Sequence, residues 1–264
     1  MTSAKASTTT GPPSRLTAVV TGASSGIGRA TAQRLVADGW QVLAVARREE
    51  RLRTLAEETG CAVLGVDITD DESVAALVDR AAELFGDTLN TVVHVAGGAL
   101  GVEPVAEADL GKWQGMYETN VLGALRVTRA LLPALRRSGR GDVLFVTSVA
   151  AHEAYPGGSG YNAAKAGEHM LARALRLELN GEKVRVIEIA PGMVRTEEFS
   201  LVRLGDQDAA DAVYDGVEDP LTAEDCADVI SYALNAPHHV NLDLVTVRPL
   251  AQAAAHRIAR HHGV

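Results

Sequence analysis

The sequence predicts an α/β fold in which helices cover both faces of a doubly wound, seven-stranded parallel sheet. Seven short apolar runs rich in β-branched residues support this prediction, at residues 17–20, 42–46, 62–66, 91–95, 143–147, 184–189 and 242–247. Amphipathic segments separate most of them, for example at residues 29–38, 71–85, 121–137 and 161–180. Strands that alternate with helices form parallel sheets, and right-handed crossovers then place helices on both faces. Because such sheets bind ligands beyond the carboxyl ends of their strands, we expect functional residues directly after the apolar runs.

Length and composition favour one folded domain without a membrane anchor. The chain has 264 residues, 47% of them hydrophobic, and a net charge of −9, which disfavours nucleic-acid binding. We predict a disordered tail at residues 1–14, one domain at 15–250 and a C-terminal tail at 251–264. No uninterrupted apolar run is long enough to predict a membrane span. Cys61 and Cys226 lack metal or redox spacing, so we interpret them as reduced packing residues of a cytoplasmic protein.

A glycine-rich turn follows the first predicted strand and precedes a helix. Glycines permit a close backbone approach, and the following helix offers free N–H groups and a positive dipole end to a pyrophosphate. A tight turn that binds nothing is the alternative, but the position between strand and helix favours dinucleotide binding. The predicted cofactor contacts in this turn are Gly22, Ser24, Ser25, Gly26, Ile27 and Gly28.

The end of the second strand favours NADP over NAD. Proteins that bind NAD place an acidic residue there to accept a hydrogen bond from the ribose 2′-hydroxyl. This chain has Arg47 and Arg48 instead, two guanidiniums that could hold a 2′-phosphate, with Ser24 and Ser25 as further donors. The alternative is that both arginines merely solvate a helix start, where the helix dipole disfavours cations.

Further candidate cofactor contacts follow the third, fourth and sixth strands. Asp67, beside Ile68, either accepts from the adenine amino group or caps the next helix, and the residues alone favour neither. A ligand could lie against the bare backbone that follows the fourth strand. The hydroxyl of Thr196 and the backbone near it could fix the nicotinamide amide after a sharp turn. The residues of these last two segments are Ala96, Gly97, Pro191, Gly192, Val194 and Thr196.

Tyr161 and Lys165 form the strongest catalytic candidate, because their spacing puts a phenol and an ammonium on one helix face. A free tyrosine has a pKa of about 10, and a nearby cation is expected to lower it. Ser148, at the end of the fifth strand, could donate to a substrate oxygen, or it simply caps the strand end. Asn120 either kinks its helix and holds a water near Lys165, or acts as an ordinary helix N-cap.

Together these segments resemble the short-chain dehydrogenase/reductase family in order and spacing, from about residue 16 to about residue 249. The resemblance implies a single Rossmann-like domain, NADP as cofactor, and a homotetramer or dimer. It also implies a catalytic set formed by Asn120, Ser148, Tyr161 and Lys165, with Tyr161 and Lys165 also contacting the cofactor. One departure is that His94 and Val95 stand where the family usually carries two asparagines.

A looser likeness links the late segments 198–203, 221–233 and 239–249 to the NADP-dependent serine and 3-hydroxy-acid dehydrogenase branch. It implies a small polar alcohol or hydroxy acid as substrate and hydride transfer to or from its carbon. The alternatives are an NADP-binding regulator without catalysis, and an epimerase or dehydratase on the same fold.

The remaining expectations concern the substrate side of the site. We predict a lid at residues 193–219, in which Arg195 and Arg203 either hold a substrate carboxylate or, as we prefer, are solvated. Residues 251–262 look helical and weakly amphipathic. Further candidates for the pocket lining are His152, Glu153 and Tyr155. We expect no metal site, and interpret the late histidines as parts of an exposed tail: His256, His261 and His262.

Overall fold

The computed structural model describes residues 15–261 and contains the predicted seven-stranded parallel sheet. The strands pair in the order β3-β2-β1-β4-β5-β6-β7, and every neighbouring pair is parallel. Their bounds are β1 Thr17–Thr21, β2 Gln41–Ala46, β3 Ala62–Gly65, β4 Thr91–His94, β5 Gly141–Val146, β6 Val184–Pro191 and β7 Val245–Val247. The fold prediction is therefore confirmed.

Nine helices connect and cover these strands within residues 15–261. They are α1 Gly26–Ala37, α2 Glu49–Thr59, α3 Asp71–Phe85, α4 Leu110–Tyr117, α5 Ala124–Arg137, α6 Ser159–Glu178, α7 Phe199–Leu204, α8 Gln207–Ala212 and α9 Ala223–Asn235. A π-helical segment, Glu118–Gly123, joins α4 to α5, and a short 3₁₀ turn, Val149–Ala151, follows β5. In the part of the chain that the structure describes, no helix has the length and apolar character needed to cross a membrane.

Two apolar layers hold the helices to the sheet because successive strand residues point to opposite faces. On one face, Phe145 of β5 shares a core with side chains of α3, α5 and α6. On the other face, its neighbour Leu144 belongs to a core with side chains of α1, α2 and α9. Cys61 and Cys226 are both buried free thiols, and burial raises the pKa of each.

The strand order reverses beside β1, since β2 lies on one side of it and β4 on the other. The connections after β1 and β4 therefore leave the sheet in opposite directions and open a crevice at its carboxyl edge. The glycine-rich turn and the segment after β4 meet at this edge, which is where the sequence predicts ligand binding.

The end of the chain differs from the prediction. The helix expected at residues 251–262 is wrong: strands β8 Gln252–Ala254 and β9 Arg257–Ile258 form a small antiparallel hairpin. The seventh strand is also shorter than predicted, because the side chain of Asn241 bonds both backbone polar groups of Val186 in place of a backbone ladder. The predicted tail at 1–14 lies outside the described residues, and the domain boundary at residue 250 stays a prediction.

Candidate active site

A cavity of about 830 Å³ opens at the carboxyl edge of the sheet. It gathers segments that lie far apart in the sequence, and most of the predicted site residues contribute to its wall. These residues are Gly22, Ser24, Ser25, Gly26, Ile27, Gly28, Arg47, Arg48, Asp67, Ile68, Ala96, Gly97, Ser148, Tyr161, Pro191, Gly192, Val194 and Thr196. Asn120 and Lys165 are not part of this wall and lie buried beside it.

The glycine-rich turn leaves no space for side chains at two positions. Gly22 has a φ of 67°, and a Cβ on it would lie 2.8 Å from the backbone nitrogen of Ala96. A Cβ on Gly28 would lie 2.6 Å from the carbonyl carbon of Gly22. The side chain of Ser25 does not cap α1, and no acidic residue occupies its first turn. This bare helix start, lined by glycine backbone, fits a pyrophosphate.

Arg48, the residue predicted to hold a 2′-phosphate, lines the cavity beside two serines. Its guanidinium donates to the hydroxyls of Ser24 and Ser25, each at 2.9 Å. The same guanidinium contacts the carboxylate of Glu198 at 2.6 Å, and Arg51 contacts that carboxylate at 2.6 Å. Burial raises the pKa of Glu198, but hydrogen bonds from Arg48 and Ser25 outweigh this effect and the pKa is lowered. Sequence reasoning identified the donors and missed Arg51 and Glu198.

Asp67 does not cap the helix that follows it. Its carboxylate accepts from the backbone N–H and the hydroxyl of Thr69 at 2.9 and 2.7 Å. These bonds, the hydroxyl first, lower the pKa of Asp67. The N-cap of α3 is Asp70, whose side chain accepts from the backbone of Ser73. Asp67 is thus an ionised hydrogen-bond acceptor on the cavity wall.

Ser148 and Tyr161 both line the cavity and are both largely buried. The hydroxyl oxygen of Ser148 accepts from the backbone N–H of Ala150 at 3.1 Å and donates to the carbonyl of Pro191 at 3.4 Å. It therefore caps the turn after β5 and also faces the cavity. Asn162 ties this turn to α6 by donating to the carbonyl of Ala150 at 2.7 Å.

The phenol of Tyr161 is less acidic than the sequence predicts. Burial raises its pKa, and Tyr155 and Glu168 raise it further, while Lys165 and a hydrogen bond with Ser148 lower it. The net shift is upward, so the expectation that Lys165 makes this phenol more acidic than free tyrosine is wrong for the protein alone. The physical reason is that the desolvation of a buried phenolate exceeds the attraction of one nearby ammonium.

Glu168 is an unpredicted partner of Lys165 on the same helix. The ammonium of Lys165 donates to its carboxylate at 2.6 Å and to the carbonyl of Val146 at 3.0 Å. Burial raises the pKa of Glu168 to about 7, although Lys165 opposes this shift. Burial lowers the pKa of Lys165, but Glu168 outweighs that effect and the net shift is upward. The spacing of three residues on a helix was a visible signal for this pair.

Asn120 lies in the π-helical segment, inside a continuous helical stretch rather than at a helix N-cap. Its amide nitrogen donates to the carbonyls of Met116 and Gly98 at 2.7 and 3.0 Å, and its oxygen accepts from the backbone of Gly98 at 3.1 Å. A Cβ on Gly97 would collide with this oxygen and lie 3.6 Å from the ammonium of Lys165. The widened helical turn thus holds Asn120 between the segment after β4 and the region of Lys165.

Thr21 supplies hydrogen bonds at the place where the sequence lacks two asparagines. Its hydroxyl accepts from the backbone N–H groups of Val95 and Ala96, both at 3.1 Å. His94 is fully buried, contacts the hydroxyl of Thr128 at 2.8 Å, and has a pKa lowered by burial to about 3. Thr21 and a neutral imidazole at position 94 thus make the side-chain contacts at the end of β4.

Helices α7 and α8 form the helical runs predicted for the lid segment. The ring of Phe199 lies edge-on to the ring of Tyr161, with centroids 5.7 Å apart. Arg203 is fixed rather than freely solvated, because it donates to the hydroxyl of Tyr155 at 3.1 Å and the carbonyl of Gly157 at 2.8 Å. Arg195 is exposed, and its guanidinium lies over the ring of Tyr214. Arg203 and Tyr155 both line the cavity.

The C-terminal hairpin closes one side of the cavity. The amide oxygen of Gln252 accepts from the backbone of Met193 at 2.7 Å, and Glu153 accepts from the backbone of Ala255 at 2.6 Å. Arg260 donates to the carbonyls of Val213 and Asp215 within the segment 193–219. Glu153 therefore anchors the hairpin instead of lining the cavity, a role that sequence reasoning missed.

Three side chains that could ligate a metal ion lie together outside the cavity wall. His169 contacts Glu188 at 2.7 Å, and His152 lies 3.6 Å from the same carboxylate. His152 is not among the residues that line the cavity, although it was predicted to line it. His256 and His261 belong to no such cluster in residues 15–261, and His262 lies outside the described residues.

Known proteins match most of this chain. Residues 16–205 match the short chain dehydrogenase family. An uncharacterized oxidoreductase of Mycobacterium tuberculosis (strain ATCC 25618 / H37Rv) is 53% identical over 96% of this chain and 98% of its own length. Serine 3-dehydrogenase of Rhizobium radiobacter is 43% identical over 90% of this chain and 96% of its own. An NADP-dependent 3-hydroxy acid dehydrogenase of Salmonella typhimurium (strain LT2) is 37% identical over 90% of this chain and 96% of its own length.

A solved structure agrees with these relatives. The closed form of serine dehydrogenase complexed with NADP⁺ superposes with a TM-score of 0.87 at 32% identity. The superposition covers 94% of this chain and 100% of that chain.

Proposed function

The chain belongs to the short-chain dehydrogenase family, and from this premise we propose that it is an NADP(H)-dependent oxidoreductase acting on an alcohol or carbonyl carbon. The observation that carries the proposal is the position of Tyr161 and Ser148. Their hydroxyls share one cavity with a glycine cradle and with Arg48. That arrangement brings a candidate proton donor together with groups that would hold NADP.

We assign one part of NADP to each group of residues on or beside the cavity wall. The glycine turn and the start of α1 would hold the pyrophosphate, and Arg48 with its two serines would hold the 2′-phosphate. Asp67 would accept from the adenine amino group, and residues 191–196 would fix the nicotinamide amide. Lys165 would donate to the nicotinamide ribose. When bound, the nicotinamide supplies or accepts the hydride.

Tyr161 is the proposed acid and base. During reduction its hydroxyl donates a proton to the substrate oxygen, and during oxidation the phenolate takes that proton back. Ser148 holds the same oxygen by donating a hydrogen bond as negative charge develops there. Lys165 favours the phenolate, and Asn120 is the proposed next member of the path to solvent. A positively charged nicotinamide would offset part of the burial that disfavours the phenolate.

The substrate is proposed to be a small hydroxy acid or a similar polar alcohol. Relatives named serine 3-dehydrogenase and 3-hydroxy acid dehydrogenase support this class. Arg203 also supports it, because a guanidinium held on the cavity wall suits a carboxylate. The segment 193–219 is proposed to act as the lid over this substrate. We further propose that the protein is cytoplasmic and forms a homotetramer or dimer. Light scattering of the purified protein would identify the oligomeric state.

The proposed function is tested by a substrate screen in which NADPH and NADH are compared side by side. L-Serine, 3-hydroxypropionate and uncharged alcohols are oxidised with NADP⁺ or NAD⁺, and the matching carbonyl compounds are reduced, with absorbance at the nicotinamide band as readout. We expect turnover of a substrate that carries a carboxylate, with NADP⁺ or NADPH as the cofactor. If the chain binds NADP but no substrate in the screen oxidises or reduces the nicotinamide, the chain is a regulator and the proposal is wrong.

A further inference from the structure

The anion site formed by Arg48 already contains a carboxylate of the protein itself. Glu198 precedes α7 in the lid segment, 150 residues away along the chain from Arg48. Both of its carboxylate oxygens lie 2.6 Å from Nη1 of Arg48, and one also contacts Arg51 at 2.6 Å. The Glu198 side chain is only 20% exposed, which makes it more shielded from solvent than an ordinary surface ion pair.

The hydrogen-bonding capacity of Arg48 is committed to this arrangement. Its Nε and Nη2 atoms donate to Ser24 at 3.2 and 2.9 Å, and Nη2 also donates to Ser25 at 2.9 Å. Nη1 donates to Glu198. A phosphate that approaches this guanidinium would meet the negative charge of Glu198 within a few ångströms, where like charges repel strongly. The phosphate and the carboxylate therefore cannot both bind Arg48 in the same way.

We propose that Glu198 competes with the cofactor 2′-phosphate for Arg48 and Arg51 and so reduces the preference for NADP over NAD. This inference rests on the proposed function, because it requires that the dinucleotide binds with its adenosine beside Arg48. A 2′-phosphate displaces the carboxylate and takes its hydrogen bonds. A ribose 2′-hydroxyl is neutral and can donate to a carboxylate, so NAD binds without displacing Glu198.

The competition has a definite sign. Glu198 weakens the binding of ligands that carry a 2′-phosphate, because part of their binding free energy is spent in breaking its ion pairs. It leaves the binding of ligands without a 2′-phosphate unchanged or makes it tighter. Removing its charge should therefore increase the selectivity for a 2′-phosphate, although the removed residue is a direct contact of the site.

The neighbouring Glu197 provides a matched control. It carries the same side chain one residue earlier, is 81% exposed, and approaches Arg51 no closer than 4.0 Å. Glu197→Gln changes the net charge of the protein by the same amount as Glu198→Gln. A long-range charge effect would appear in both variants, whereas direct competition would appear only in Glu198→Gln.

The experiment is isothermal titration of the wild type and both variants with adenosine 2′,5′-bisphosphate and with adenosine 5′-monophosphate. Neither ligand carries a nicotinamide, so binding is measured without turnover. We expect Glu198→Gln to bind the bisphosphate about 3- to 10-fold more tightly than the wild type, with Glu197→Gln close to the wild type. The affinity for the monophosphate should stay the same or fall in Glu198→Gln.

Two results would overturn the inference, and they are distinguishable. If the wild type and Glu198→Gln each bind both ligands equally, the adenosine does not lie beside Arg48 and the NADP assignment itself fails. If the wild type prefers the bisphosphate but Glu198→Gln binds it no more tightly than Glu197→Gln does, the NADP assignment stands and the competition is wrong. Thermal unfolding of each variant, expected near the wild-type midpoint, checks that the protein remains folded.

Discussion

Replacing Gly97 by alanine should damage the site through Asn120 rather than through the backbone. Gly97 has an ordinary φ, but an added Cβ would collide with Oδ1 of Asn120 and lie 3.1 Å from its Cγ. Asn120 is fully buried and makes three hydrogen bonds, two with Gly98 and one with Met116. The new methyl group therefore forces this amide away from partners that it cannot replace.

The magnitude follows from those three bonds. At about 1 kcal/mol for each bond, losing two or three of them costs about 2–3 kcal/mol of unfolding free energy. For a chain of this size that corresponds to a fall of about 4–12 °C in the midpoint of thermal unfolding. Because Lys165 lies 3.6 Å from the same added atom, we also expect kcat/KM to fall at least about tenfold.

Gly98→Ala is the control for stability, because a Cβ on Gly98 meets no atom within 4 Å. Urea unfolding of both variants separates a steric effect at Asn120 from a general loss of glycine in this segment. The reasoning would be refuted if Gly97→Ala lost less than about 1 kcal/mol, or if both variants lost the same amount.

Two further predictions concern titration. Glu168→Gln removes a charge that raises the pKa of Tyr161, so the phenolate should form at lower pH. The rising limb of the pH profile of kcat/KM for oxidation should therefore move to lower pH. A limb that stays in place or moves to higher pH would count against this role of Glu168. His94 has a pKa near 3 when folded and near 6.5 when unfolded, so the unfolded chain binds the extra proton and stability falls as the pH drops below about 6.5. Between pH 6.5 and 5 the wild type should lose about 2 kcal/mol more than His94→Leu in urea unfolding, and equal losses would contradict the assignment.

The sequence predicted the sheet well because its signals are local. Seven apolar runs, their spacing and the glycine turn after the first of them determine a parallel sheet and its ligand edge. The same local signals led to Ser148 and Tyr161, and to Arg48 at the end of β2. The structure brings all three to one cavity.

The contacts that the sequence did not predict depend on long-range packing. Nothing near Glu198 indicates that Arg48 lies beside it, since the chain must fold before residues 150 positions apart can meet. The pKa of Tyr161 was misjudged because the sequence displays the neighbouring ammonium but not the depth of burial. Glu168 is the exception, because its spacing from Lys165 was visible.

The C-terminal hairpin was mistaken for a helix because residues 251–255 are rich in alanine. Intrinsic helix propensity is weak compared with tertiary contacts. Here Glu153 accepts from the backbone of Ala255, and the side chain of Gln252 bonds Met193. These bonds need an extended chain that reaches back across the cavity, and they override the local preference.

The most direct test of the account measures Tyr161→Phe with the best carbonyl compound from the substrate screen. The variant keeps the ring that packs against Phe199 and loses only the hydroxyl. We predict that a fluorescence titration shows near wild-type affinity of the variant for NADPH. Reduction of the carbonyl compound by the variant should slow by about 10²-fold or more. Reduction at the wild-type rate by a variant that binds NADPH normally would contradict the central claim.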